Sequence, residues 1–205
     1  MTRAGVTEDK LVRAAAELAD ESGLAAVTVS ALARRFDVRP ASVYSHVDGL
    51  DQLLDRTAAF ALQELADRLA DALPGKSGRS ALFAFANAHR DYARAHPGRW
   101  QAAHRRVAPD AVATSAGRTI GRSARAIVSG YGLSTDDEVH AVRLLGSAIN
   151  GFVALEADGG FEHSAPPAAA SWERVLDAID TSLTNWPAAP AAPAAPTDST
   201  DGDRT

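Results

Sequence analysis

The chain has 205 residues, 46% of them hydrophobic and 23% charged, with a net charge of −5 and no cysteine. That composition fits a packed, soluble protein and excludes disulfides, thiolate metal sites and thiol nucleophiles. No stretch approaches the roughly 18 apolar residues needed to span a bilayer. The opening Met1-Thr2-Arg3-Ala4-Gly5 leads into a helical pattern without a hydrophobic leader, so a cytoplasmic protein with no membrane partner is expected.

Helix signals follow one another and no convincing strand pattern intervenes, which predicts an all-α fold. Thr7 is placed to cap a first helix, with Glu8 and Asp9 in its opening turn, Leu11, Ala15 and Leu18 on one face, and Gly23 at its end. Thr28 caps a short second helix reaching Phe36, and Asp37-Val38 forms a turn. Pro40 stands at the first position of a third helix running to Val47, where its missing N–H costs nothing. Asp48-Gly49 breaks that helix.

A long fourth helix is expected over 50–73, anchored by Leu53, Leu54, Leu62, Leu65 and Leu69. At 1.5 Å per residue it would span roughly 36 Å, enough to connect a head to a separate body. After Pro74-Gly75-Lys76-Ser77-Gly78, further helices are expected over 79–96, 99–107 and 109–128. Another should be capped by Ser134 with Asp137 or Thr135 with Glu138 and reach about 156, and a last one should cover 171–186. Residues 187–205 repeat Ala-Ala-Pro and end in small and acidic residues, the composition of a disordered tail. The expected organisation is therefore a three-helix head (1–50), the fourth helix as connector, a larger helical body (74–186) and the tail.

The stretch from Thr28 to Val47 carries the most information. Leu32, Phe36, Val38 and Val43 are spaced to hold two short helices at a fixed angle, and Ala33 is small enough for a close crossing. The other face of the third helix offers Arg39, Ala41, Ser42, Tyr44, Ser45 and His46, small or polar groups suited to a DNA groove. Between Val27 and Val47 three arginines stand against one aspartate, a local positive excess on an acidic chain.

The segment from Thr7 to about Phe60 resembles the DNA-binding head of the tetracycline-repressor (TetR) family. The likeness lies in Leu24-Ala25-Ala26-Val27-Thr28-Val29-Ser30-Ala31-Leu32-Ala33, in Val38-Arg39-Pro40-Ala41-Ser42-Val43-Tyr44-Ser45-His46-Val47, and in Gly49-Leu50-Asp51-Gln52-Leu53-Leu54. The resemblance implies that Arg39, Ala41, Ser42 and Ser45 face base edges, with Arg39 the best candidate for a guanine contact. It implies that Tyr44, His46, Thr28 and Arg34 meet phosphates. One departure is Leu50, where many family members carry a phosphate-binding lysine.

The eighth helix is apolar nearly all round, with Gly146, Ser147, Ala148 and Gly151 keeping one side thin, and the ninth shows a single apolar stripe. The family resemblance implies that these two helices build a homodimer, for which Leu145, Ile149, Phe152, Trp172, Val175, Leu176, Ile179 and Leu183 are the interface candidates. Burial within a monomer is the alternative. Phe85, His89 and Tyr92 recur along one helix, Trp100 and His104 follow, and Asn150 interrupts apolar surroundings. This mixture suits a pocket for an unidentified small-molecule effector. The region also resembles a C-terminal class of the family recognised by Trp-x-x-x-His-Gly, of which Gly151 survives, with Gly146 and Asn150 at the other two places.

No phosphate loop, nucleophile elbow or zinc-protease motif occurs, so neither an enzyme nor a cofactor or metal is expected. The expected function is a DNA-binding transcriptional regulator, a repressor released from a palindromic operator when a ligand pivots the fourth helix. Alternatives are a ligand-independent regulator or activator, and a small-molecule-binding protein or enzyme with a vestigial head.

Overall fold

A computed structural model describes residues 6–105 and 115–187 of the chain. Among these residues it is all-helical: α1 (Glu8–Ser22), α2 (Val29–Arg35), α3 (Pro40–Tyr44), α4 (Leu50–Ala72), α5 (Gly78–Ala95), α6 (Pro97–His104), α7 (Ser115–Ser129), α8 (Thr135–Ala157) and α9 (Ala168–Thr184). A single 3₁₀ turn, Leu24–Ala26, links α1 to α2. The expected start of the seventh helix at Pro109, the last residues of the sixth to Val107, and the tail beyond Pro187 lie outside the described residues. No helix among those described is long and apolar enough to cross a membrane.

Local chemistry sets most boundaries. The Thr7 hydroxyl accepts the Lys10 amide N–H at 3.4 Å, and Thr28 accepts that of Ala31 at 3.1 Å, each satisfying an amide that helix geometry leaves unpaired. Ser134 accepts from Asp137 N–H at 3.2 Å, so the first of the two expected caps starts α8. Three expectations are corrected. The third helix ends at Tyr44 rather than Val47, because the His46 amide turns back only three residues to the Val43 carbonyl at 3.0 Å while the Ser45 hydroxyl bonds the Ser42 carbonyl. The sixth begins at Pro97, which takes the first helical position. The ninth starts three residues early, at Ala168, and stops before Trp186.

Two apolar cores form. Leu11, Ala15, Leu32, Val43 and Leu53 are fully buried in the head. The larger core joins Leu65, Leu69, Leu82, Phe85, Tyr92, Val128, Leu145, Ile149, Trp172 and Leu176. α4 serves both, with Leu53 in the head and Ala61, Leu65 and Leu69 in the body. Inside the body Arg90 grips Glu156 in a two-pronged ion pair of 2.8 and 2.6 Å, tying α5 to α8, while its guanidinium lies 5.2 Å from the Trp172 ring centre. The pairing holds the Glu156 carboxyl below its usual range.

Head and body meet where α6 crosses α1. A Cβ at Gly98 would stand 2.0 Å from the Ala19 carbonyl carbon, so only glycine permits this approach. Around the crossing, the Asp20 carboxylate accepts the Arg99 amide N–H at 2.9 Å and faces His96 Nδ1 at 3.2 Å. Arg68 donates to His96 Nε2 at 3.0 Å, so the ring proton sits on Nδ1, toward Asp20. Arg99 also reaches Glu64 at 3.1 Å, and the Tyr92 hydroxyl donates to the same carboxylate at 3.0 Å. Arg105, at the end of α6, pairs with Asp55 on α4.

Gly98→Ala should therefore lower stability by about 1–3 kcal/mol, the usual cost of overfilling a packed contact. Thermal unfolding checks this, and a control Gly121→Ala in α7, where an added Cβ meets nothing within 4 Å, should leave the midpoint unchanged or raised.

Candidate nucleic-acid interface and effector cavity

The turn between α2 and α3 is built by the backbone. Val38 N–H reaches back to the Ala33 carbonyl at 2.9 Å and Asp37 N–H to that of Arg34 at 3.1 Å. This paired closure of a helix end needs a left-handed residue, and Asp37 supplies it with φ 52°. Arg39 then adopts an extended conformation, φ −76° and ψ 147°, ahead of Pro40, as a residue before proline must. Val29, Leu32, Val43 and Val47 face inward and are buried.

The opposite surface is solvent-facing throughout. Thr28, Arg34, Arg39, Ala41, Ser42, Tyr44, Ser45 and His46 are all exposed, with Tyr44 at 57%. Not all of their hydrogen-bonding capacity is open. The Thr28 oxygen is engaged in the α2 cap, and Ser45 donates its proton to the Ser42 carbonyl at 2.8 Å. Arg35 is also committed, bonding Glu21 at 2.8 Å and Glu17 at 2.9 Å on α1. Among the described residues no acid pairs with Arg34 or Arg39. Sequence reasoning missed how α4 begins. Asp48 N–H donates to Gln52 Oε1 at 2.8 Å and Gln52 Nε2 donates to Asp48 Oδ2 at 3.0 Å, closing the helix start reciprocally. Leu50 packs against the head core, which is why an apolar residue sits well there.

A second feature lies in the body. A cavity of about 130 Å³ opens between α5, α7 and α8, lined by Phe85, His89, Ile120, Gly121, Ala124, Val142, Gly146, Ile149 and Asn150. It brings together three of the expected pocket residues, Phe85, His89 and Asn150. The other three lie elsewhere. Tyr92 is fully buried at the head–body junction, because a further turn of α5 faces α4 instead of α7. Trp100 is buried with its ring edge-on to His89 at 6.2 Å, and His104 is exposed and bonded to the Trp100 carbonyl. The contributions of α7 and of Gly146 were not foreseen. The thin side of the eighth helix was their only trace in the sequence.

The residues expected at the dimer interface take the alternative place, within the chain. Leu145, Ile149, Phe152, Trp172, Leu176, Ile179 and Leu183 are buried within the chain's own core, and Val175 is half-buried against it. The side of α8 facing away carries Leu144 at 40% exposure, Leu155 at 53%, Ser147 and Gly151.

Residues 11–57 match the family model described as bacterial regulatory proteins, tetR family, and residues 82–179 match that of the tetracyclin repressor-like C-terminal domain. The chain is 32% identical over 181 residues to the uncharacterized HTH-type transcriptional regulator YobS of Bacillus subtilis, covering 88% of this chain and 91% of that protein. ActR of Streptomyces coelicolor, solved in complex with actinorhodin, superposes with a TM-score of 0.70 at 18% identity, over 89% of this chain and 98% of ActR. BioQ, solved with its double-stranded DNA operator, gives a TM-score of 0.59 at 24% identity over 85% of this chain and 98% of BioQ. A three-helix head with an outward-facing short helix, set on a helical body, defines a helix-turn-helix DNA-binding transcriptional regulator. The chain belongs to the TetR family.

His89 gives this body a pH signature. Burial pushes its imidazole down to about 4, offset only in part by its bond to the Phe85 carbonyl at 2.8 Å. In the unfolded chain the ring gains a proton below about 6.5, whereas in the fold it stays neutral until about 4. Acidification through that window therefore favours the unfolded state by about 3 kcal/mol. Urea unfolding between neutral pH and about pH 4 should show this loss, and His89→Gln should flatten it.

Proposed function

We propose that the chain is a cytoplasmic homodimeric repressor that binds a palindromic operator through α3 and leaves it when a small molecule fills the cavity between α5, α7 and α8. On this reading the chain performs no catalysis. The observation that carries the reading is the division of the α2–α3 unit. Its apolar residues are consumed in holding two helices at a fixed angle, while every candidate contact residue remains on the outside. ActR in complex with actinorhodin and BioQ with its operator supply the two kinds of partner by analogy.

Arg39, Ala41, Ser42 and Ser45 then read base edges, and Arg34, Tyr44, His46 and Thr28 position the head on phosphates. Arg39→Ala should relax preference at one base pair of each half-site by about 1–3 kcal/mol, while Tyr44→Phe weakens all sites alike. Gel retardation on DNA flanking the protein's own gene, with single-base variants, measures both. Uniform weakening by Arg39→Ala would remove the base-reading role.

Two heads must sit about 34–36 Å apart to meet successive major grooves, so a second copy is required. Its place is the outer side of α8, where Leu144 and Leu155 are exposed in line with the small residues Ser147 and Gly151. Leu144→Glu should shift the protein to a monomer in light scattering and reduce operator affinity by about tenfold or more, because the two half-sites no longer bind as one unit.

A further inference from the structure

The cavity in the body is selective in its chemistry, and assigning its ligand the role of effector rests on the function proposed above. Its volume of about 130 Å³ is close to that of the roughly 150 Å³ engineered apolar cavity known to accept benzene. Its walls are the Phe85 ring, the aliphatic side chains of Ile120, Ala124, Val142 and Ile149, and the bare backbones of Gly121 and Gly146. A Cβ on either glycine would meet nothing within 4 Å, so both leave space that a side chain would occupy.

Among the described residues only two polar side chains line this space, and no lysine, arginine, aspartate or glutamate does. An ionised ligand would give up part of its hydration there with no opposite charge among the lining residues to receive it. Both polar groups offer acceptors. Asn150 Oδ1 is buried and receives no hydrogen bond from the described residues, an exception among buried polar atoms that calls for a donor. His89 spends its Nδ1–H on the Phe85 carbonyl, so Nε2 is the nitrogen that keeps a lone pair. Burial keeps that ring uncharged at physiological pH.

We infer that the cavity binds a neutral single-ring molecule bearing one O–H or N–H group, of the phenol or aniline class, with the donor on Asn150 Oδ1 and the ring against Phe85. Carboxylates and ammonium compounds of the same size are rejected because the lining offers no counter-charge. Unsubstituted hydrocarbons fit, but they leave Asn150 without its donor.

Isothermal titration of the full-length protein with phenol, benzene, benzoate and benzylamine tests this. Phenol should bind about tenfold tighter than benzene, and benzoate and benzylamine should give no heat of binding. Asn150→Leu should bring phenol down to the level of benzene while benzene still binds. Gly146→Leu should abolish both by filling the space, with circular dichroism recording whether the fold is kept. If that variant fails to fold, the Asn150→Leu comparison decides. Benzoate binding as well as phenol, phenol affinity unchanged in Asn150→Leu, or no phenol binding at all would each overturn the inference. Gel retardation without ligand is read separately. Operator binding without phenol binding removes only the ligand class, whereas phenol binding without any operator binding removes the proposed regulator and leaves the cavity chemistry standing.

Discussion

The orientation of the head depends on a contact between two backbones. Gly98 lies so close to Ala19 that no side chain separates α6 from α1. A contact of this kind has little compliance, since packed interiors respond to displacement as solids do. The hydrogen bonds and ion pairs around it add direction. Asp20 is held by His96 and Arg99, and Arg99 extends to Glu64 on α4, so three helices share one knot of charge. Because these groups are largely shielded from water, the knot resists salt better than an exposed pair would.

α4 gives this knot its reach. One helix contributes Leu53 to the head core and Leu65 and Leu69 to the body core, so the two cores cannot shift independently without bending it or breaking its packing. α6 touches the same helix again through Arg105 and Asp55. The cavity is bounded by α5, whose next turns carry Tyr92 into the knot through Glu64. On the proposed reading, a molecule entering between α5, α7 and α8 acts on a helix already bonded to the element that aims the head. The population it favours is set by its differential affinity for the two head positions.

The sequence was most readable where structure is decided within a few residues. The Thr7, Thr28 and Ser134 caps, the Asp37 turn and Pro40 all act over one helical turn, and the positions they imply agree with the fold. Reading failed where the outcome depends on parts far apart in the chain. An apolar stripe says that a helix side is covered but not by which neighbour, and so Leu145, Ile149 and Leu176 were expected at a second subunit when the chain's own core already buries them. A cavity is the space that three helices leave empty. Residue types revealed Phe85, His89 and Asn150, but neither the inward placement of Ile120 nor the turning away of Tyr92 and His104. The Gly98 contact joins residues about 80 positions apart and leaves no local pattern at all.

The fate of Arg35 bears on how such a head would behave inside a cell. Its guanidinium is tied down by Glu17 and Glu21, and Leu50 stands where many family members carry a lysine, so among the described residues from α2 through α3 only Arg34 and Arg39 are cations without an acidic partner. Each phosphate neutralised releases condensed counterions, and fewer such events mean a flatter dependence of binding on ionic strength. An interface this sparing in positive charge has little hold on arbitrary sequence. On the proposed reading, such a head would spend less time trapped on non-specific DNA, and changes in ionic strength would alter its occupancy less than that of a lysine-rich head.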